Sequence, residues 1–261
     1  MSCSFSTQSS FKFISKRLSN QNKGKIDYNS TMQFVPPSEE EVQAVASIKQ
    51  KIVTESSLEN SHTLSDIMVL RFLRGFKGDA KQAHEKIIDH LKWRIVENVD
   101  EINSIQPKIQ KFLDNKLAIL GNYSTAGQSS SFCLTHRHDA NDRDIDELKL
   151  FIIWTLEYLR KSAKPDEERF TIVMDLGRFS LKCMDYEACK VLIAILQSHY
   201  PETLGAMLIV DSPIIFSACW VVIKPWIDPI TVDKVKFIAR DKLQDFFSSD
   251  AIPEAIKNKE L

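Results

Sequence analysis

"HRHD", residues 136–139, sets two imidazoles two positions apart and close to Cys133. On a β-strand His136 and His138 would point to the same side, and a metal site is one reading of them. The other is a polar strand end running into the loop "HDANDRD". No second cluster of ligands occurs elsewhere in the chain, so no metal is expected. Cys183 and Cys189 lie six apart. A reactive thiol needs an electropositive, accessible setting; Cys189 falls among apolar neighbours in a helical pattern and is read as structural. "LRFLRGFK", residues 70–77, interleaves Arg71, Arg74 and Lys77 with Phe72, Leu73 and Phe76. It reads either as phosphate-binding or as a helix whose apolar face packs while its arginines pair with acids, and spacing favours the second. Glu202 in "HYPETLG" and Lys234 in "WIDPITVDK", taken singly, each read as half of a surface salt bridge. Glycine is scarce, seven in 261 residues, and G-x-G-x-x-G, G-x-x-x-x-G-K-[ST] and G-x-S-x-G are all absent. That excludes the usual nucleotide cradles and the nucleophile elbow. No catalytic residue and no cofactor is expected.

The totals narrow the classes further. A net charge of −1 argues against nucleic acid as the main partner. Five cysteines, none spaced C-x-x-C, are read as reduced thiols in a cytoplasmic protein. No apolar run approaches the roughly 20 residues that span a bilayer.

These side chains need a scaffold, and the chain divides into three parts. Residues 1–37 are a tail rich in Ser, Asn, Gln and Lys, expected to be disordered. Its "SSFKFISKRLS" is also transit-peptide-like, being Ser-rich, basic and free of acids, and Phe11, Phe13 and Ile14 could touch an anionic membrane. Residues 38–106 read as a helical lobe. Ser38 is an N-cap ahead of stacked glutamates, Val42, Val45, Ile48 and Ile52 follow at helical steps, one helix ends near Phe76, and another runs from Ala80 to about Val99. From Pro107 to 261 short apolar runs alternate with helices. "KLAILGNYS", "SSSFCLTHR", "RFTIVMDL", "AMLIVDS" and "KVKFIA" read as strands. Helices are expected from Asp144 to about Lys161, from Asp185 to about His199, and over 213–224. That alternation is the signature of an α/β sheet with parallel core strands.

The helix at 213–224 is unusual. Between Pro213 and Lys224 its only polar side chain is Ser217, and it reaches only about 18 Å at 1.5 Å per residue. It is either a core helix buried all round or a lid over an apolar cavity; composition alone favours the core helix. Trp220 and Trp226 also suit a boundary between oil and water.

Taken together, "LRFLRGFK…KIIDHLKWR", "FTIVMDLGRFSLKCMDY", "HYPETLG" and "MLIVDSPIIFSACWVVIKPWIDPITVDKVKF" resemble the CRAL-TRIO lipid-binding family over about residues 60–250. The wording is similar to the fungal branch that includes the yeast phosphatidylinositol-transfer protein. The resemblance implies an α/β fold with a helical N-terminal lobe, and a mostly parallel sheet flooring an apolar lipid pocket closed by a gate helix at 213–224. It implies a non-enzymatic carrier, cytoplasmic and transiently peripheral to membranes, that exchanges a phospholipid, most readily phosphatidylinositol. A scaffold without transfer activity and a carrier of a sterol-like ligand are the alternatives. The family's head-group positions fall on Glu202, Thr231 and Lys234, and the pocket and gate on Phe170, Ile172, Met174, Ile214, Phe216 and Trp220. Two positions that carry arginine in phosphoinositide-binding members are Phe76 and Thr203 here, with Arg74 or Lys77 as nearby substitutes. Phe170 and Ile172 replace small polar residues that serve phosphatidylcholine in some members, which predicts a greasier wall.

Overall fold

In the computed structural model the described residues are 35–55, 64–163 and 168–257. The expected tail lies outside them as far as residue 34. Helix α1 spans Glu39–Glu55, α2 Asp66–Gly75 and α3 Ala80–Val96. Each begins where a polar side chain takes up free amide groups: Ser38 accepts from Glu41, Ser65 from Met68 and Asp79 from Gln82. Val45, Ile48, Ile52, Val69, Phe72, Leu73, Ala83 and Ile87 close the core of this lobe.

Helix α4 spans Gln106–Asp114, where sequence reading has only a change of texture at Pro107. The proline stands in the first turn of the helix, where its missing N–H costs nothing, so it starts an element rather than breaking one. The chain then lays down β1 (Ala118–Tyr123), β2 (Ser129–Leu134), α5 (Ile145–Ser162), β3 (Phe170–Asp175), α6 (Tyr186–His199), β4 (Leu204–Val210), α7 (Ile214–Ile223), α8 (Pro229–Asp233) and β5 (Val235–Ile238). Asp144 and Asp185 cap α5 and α6. The five strands lie in chain order, with β1–β2 antiparallel and β2 to β5 parallel.

Sequential order with right-handed crossovers places α5, α6 and α7 on one face of the sheet. The period of two then sorts the strand residues. Ile172, Met174, Met207 and Ile209 face the helices. Val173, Ala206, Leu208 and Val210 face the other way, under Leu243, Phe246, Phe247, Ile252 and Ile256 of the C-terminal segment.

The helical lobe is joined to the sheet domain by a buried polar and aromatic seam. Arg94 of α3 donates to Glu157 of α5 at 3.2 and 3.4 Å and also pairs with Asp100. Tyr200 donates its hydroxyl to Glu157 at 2.8 Å, and Arg160 donates at 2.9 Å. Beside them His90, Trp93, His199 and Tyr200 stack, with the Trp93 and His199 rings 3.9 Å apart and nearly parallel. Gly75 at the end of α2 meets the turn after α6: a Cβ there would lie 2.8 Å from Pro201 Cβ, so any side chain would push the lobe off.

Candidate functional site

Between the sheet and its helices lies a cavity of about 450 Å³. Ile172 and Met174 of β3, Met207 and Ile209 of β4 and Val235 of β5 form its floor. Phe151, Ile152, Thr155 and Leu156 of α5 and Leu192, Ile193 and Leu196 of α6 face them. Phe216, Trp220 and Ile223 of α7 close one side. A wall of this composition gains free energy from any apolar group brought to it out of water.

Helix α7 corrects the core-helix expectation. Phe216, Cys219 and Ile223, three and four residues apart, are buried against the floor and Phe179. Ile214, at 70% exposure, Val221, at 62%, and also Ile215 and Val222 face outward. The helix is therefore apolar on both sides, with the cavity beneath it and an open surface above.

The charged and histidine side chains of the cavity gather at two ends. At the N-terminal edge of the parallel strands, Glu202 precedes β4 and Lys234 precedes β5, with Lys234 Nζ 3.3 Å from Glu202 Oε2. Thr231 sits one turn before Lys234 on α8, whose N-cap Asp228 accepts from the Thr231 amide. Asp228, Gln197 and Ile230 line the same mouth. Glu202 has φ +56°, a left-handed backbone that L-residues adopt at a cost and that is held by its surroundings. Pro201, the residue before it, lies close against Gly75.

Glu202, Thr231, Lys234, Ile172, Met174, Phe216 and Trp220 thus all line one cavity. Phe170 does not: it is fully buried among Leu159, Tyr200 and Leu204, beyond the end of the cavity on the same face of the sheet. Ile214 does not either, because it lies on the outer face of α7. Phe76 lines the cavity, whereas Thr203 is buried and donates to Tyr200 O at 2.6 Å, away from it. The substitutes for the missing arginines are placed elsewhere. Arg74 is held by Glu41 at 2.7 and 2.8 Å, whose carboxyl the bond from Arg74 lowers to about 2, and Lys77 is exposed in the turn after α2. Arg71 pairs with Glu168. Lys234 is the one Lys or Arg among the described residues that line the cavity.

At the other end, past the C-terminal edge of the strands, stand His138 and Asp185. His138 Nε2 lies 3.0 Å from Asp185 Oδ2. The same carboxylate accepts from Arg143 Nε at 2.8 Å and from the Ala188 amide at 2.9 Å. Burial pushes the Asp185 carboxyl up, but these bonds outweigh it and hold the group down at about 2. His136 turns instead to Arg178. The reason is the tight helical turn Thr135–Arg137 that ends β2, so the two imidazoles do not share a side. Among the described residues no group of three or more His, Cys, Asp or Glu side chains could hold a metal ion. Asp228 and Gln197 carried no separate signal in the sequence beyond a capping position before Pro229 and an ordinary helical polar residue.

A family model described as CRAL/TRIO domain matches residues 113–257. A CRAL-TRIO domain-containing protein of Schizosaccharomyces pombe is 30% identical over 196 residues, which are 72% of this chain and 44% of the relative. The phosphatidylinositol transfer protein CSR1 of Eremothecium gossypii is 32% identical over 211 residues, 75% of this chain and 47% of the relative. The chain spans about half the length of these two relatives. The crystal structure of Sfh5 has a similar fold, with a TM-score of 0.61 over 81% of this chain and 85% of that one at 19% identity. With the matched segment covering the whole sheet and its gate-like helix, this chain belongs to the CRAL-TRIO family.

Proposed function

We propose that the protein takes one lipid from a membrane into its cavity, most readily phosphatidylinositol, and releases it at another membrane. The observation that carries this reading is α7, which is apolar toward the cavity and apolar toward the outside. Lys234 offers a point charge to a phosphodiester, and Glu202 and Thr231 offer hydrogen bonds to sugar hydroxyls. The name of the CSR1 relative supports the same lipid. Each acyl methylene shielded in the cavity contributes about 0.8 kcal/mol. Leaving the bilayer costs a similar amount, so exchange is near balance and the gate sets its rate.

Native mass spectrometry of purified protein, with a vesicle assay of labelled phosphatidylinositol, tests this. A bound lipid at one per chain and transfer above background are expected. No co-purifying lipid together with no transfer overturns the reading. Lys234→Ala is expected to lower phosphatidylinositol transfer on the order of tenfold or more, since a hydrogen bond to a charged group contributes about 1.5–3 kcal/mol. Unchanged transfer by the folded variant removes Lys234 from the head-group site.

The outer face of α7 is the surface that would enter the membrane. Ile214→Asp combined with Val221→Asp places two charges there. Stability should move by less than about 1 kcal/mol, because both sites are exposed. Vesicle co-sedimentation and transfer should both collapse; binding that matches the unaltered protein would place membrane contact on another surface.

A sterol-like ligand is the second reading. It is favoured by the pairing of the mouth's one lysine with Glu202, which leaves little positive charge for an anionic head group.

A further inference from the structure

The segment between β4 and β5 is fastened to the sheet at both ends. Asp211 follows β4; its amide donates to Ile238 O at 3.0 Å and its carboxylate accepts from Arg240 at 2.9 Å. Lys234 precedes β5, and its carbonyl accepts from the Met207 amide at 2.9 Å. Residues 212–233, which carry α7 and α8, lie between these anchors as a flap beside the cavity. A flap tied at both ends lifts in its middle, so whatever holds the middle down controls it.

The middle is the short turn Lys224–Trp226, and α6 holds it. Tyr186, Lys190 and Gln197, four and then seven residues apart, share one face of that helix. All three meet Trp226. The Tyr186 ring stands edge-on to the indole with centroids 6.0 Å apart. Lys190 Nζ lies 4.9 Å from the indole centroid, and Gln197 Nε2 donates to the Trp226 carbonyl at 3.4 Å. Elsewhere the flap rests on apolar contacts beneath α7, with Phe216 against Phe179 and Phe237, and Trp220 against Phe237. The clasp lies at the surface, with Tyr186, Lys190 and Gln197 exposed and Trp226 half-buried. A cation over an exposed indole holds weakly, and an indole is also well placed at a boundary between oil and water. Trp226 therefore has two places of similar merit, one on α6 and one at a membrane surface, and a membrane shifts it between them by differential affinity.

We propose that Trp226 is a latch: α6 clasps it while the protein is in water, and it passes to the membrane–water boundary as the flap lifts. The latch rests on the reading of α7 as the gate of a lipid pocket. Thr231 rides on the flap, whereas Glu202 and Lys234 stand where β4 and β5 begin. Lifting the flap parts Thr231 from the other two, so a ligand that bridges them holds the latch shut.

Cys219, 3% exposed on the inner face of α7, is a native probe of the flap. Its labelling by N-ethylmaleimide, located by peptide mass spectrometry, reads how often the flap lifts, with the full chain in buffer and on phosphatidylcholine vesicles. Vesicles should speed the labelling of the unaltered protein. Lys190→Met removes the cation and keeps an apolar stem; it should speed labelling in buffer roughly two- to fivefold. Trp226→Leu should speed labelling in buffer at least as much, yet lose most of the further gain on vesicles, a split that loss of packing alone does not produce. Trp226→Tyr, which keeps a ring with a polar tip, should restore part of both. Equal labelling of Lys190→Met and the unaltered protein in buffer overturns the latch, and this exposed variant decides the matter even where Trp226→Leu does not fold. A vesicle gain that survives in full in Trp226→Leu overturns it too. Faster labelling of Lys190→Met in a protein that transfers no lipid keeps the latch and removes the lipid-exchange reading; lipid transfer with unchanged labelling of Lys190→Met does the reverse.

Discussion

Glu157→Leu is expected to destabilise the protein by about 3–5 kcal/mol, the cost of leaving a buried charge without its partner. Glu157 is 0% exposed and Arg94 4%. The carboxylate accepts from Arg94, Arg160 and Tyr200 together. Burial alone would push the Glu157 carboxyl up, but the bonds and charges of Arg160 and Arg94 outweigh burial and hold it at about 2. Leucine removes that compensation. Arg160, which is partly exposed, can turn to water, whereas Arg94 keeps only Asp100, and its Nε already has no partner. The loss corresponds to a fall in melting temperature on the order of 10 °C. Because the harm comes from a stranded charge and not from lost volume, the combined change Arg94→Met, Glu157→Leu and Tyr200→Phe should recover most of it. Thermal and urea melts of the single and triple variants read this directly. A single variant within about 1 kcal/mol of the unaltered protein, or a triple variant worse than the single one, shows that the network is not the seam between the lobes.

The seam also shows where the sequence stopped being legible. Arg94 and Glu157 stand 63 residues apart on helices whose charged residues look like solvated faces; nothing in either helix announces that the two meet and are buried. The strands were legible because buried parallel strands are continuous apolar runs, as in "TIVMD" and "MLIV". Helix starts at Asp144 and Asp185 were legible from their caps. Within β3, the two-residue spacing of Phe170 and Ile172 reads as one strand face, and both lie in the same core cluster. That spacing could not say that α5 and Tyr200 pack over Phe170 and end the cavity at Ile172. For α7 the pattern is uninformative by construction: a helix apolar all round has no preferred face, so only packing decides that Phe216, Cys219 and Ile223 turn in. His138 was noticed for its spacing to His136, but the turn after β2 separates the two and gives His138 a different partner.

Stability is expected to fall by about 3 kcal/mol between pH 7 and pH 5, through the histidines of the seam. His90 is 3% exposed and packed among the rings of Phe72, Trp93, His199 and Tyr200. Burial, reinforced by the neighbouring Arg94 charge, lowers it to about 3, and burial lowers His199 to about 4. Neither Nδ1 has a hydrogen-bond partner that would reward protonation. The folded protein therefore keeps both rings neutral at pH 5, while the unfolded chain, with histidines near 6.5, binds protons. The unfolded state binds more protons throughout this window, so stability is full above about pH 6.5 and declines as the pH falls toward the folded values. At pH 5 each such histidine costs about 2 kcal/mol, or 1.5 units at 1.36 kcal/mol, and the more exposed His199 is discounted to about 1 for solvent screening. The carboxylates do not contribute here. Glu41, Glu157 and Asp185 are held at about 2, so their stabilisation is lost only below their unfolded values, near pH 4–4.5. Melting curves from pH 7.5 to 5 should show the decline, and His90→Leu, which keeps an apolar body in the stack, should remove about two-thirds of it. A slope that survives unchanged in His90→Leu moves the proton uptake away from the seam.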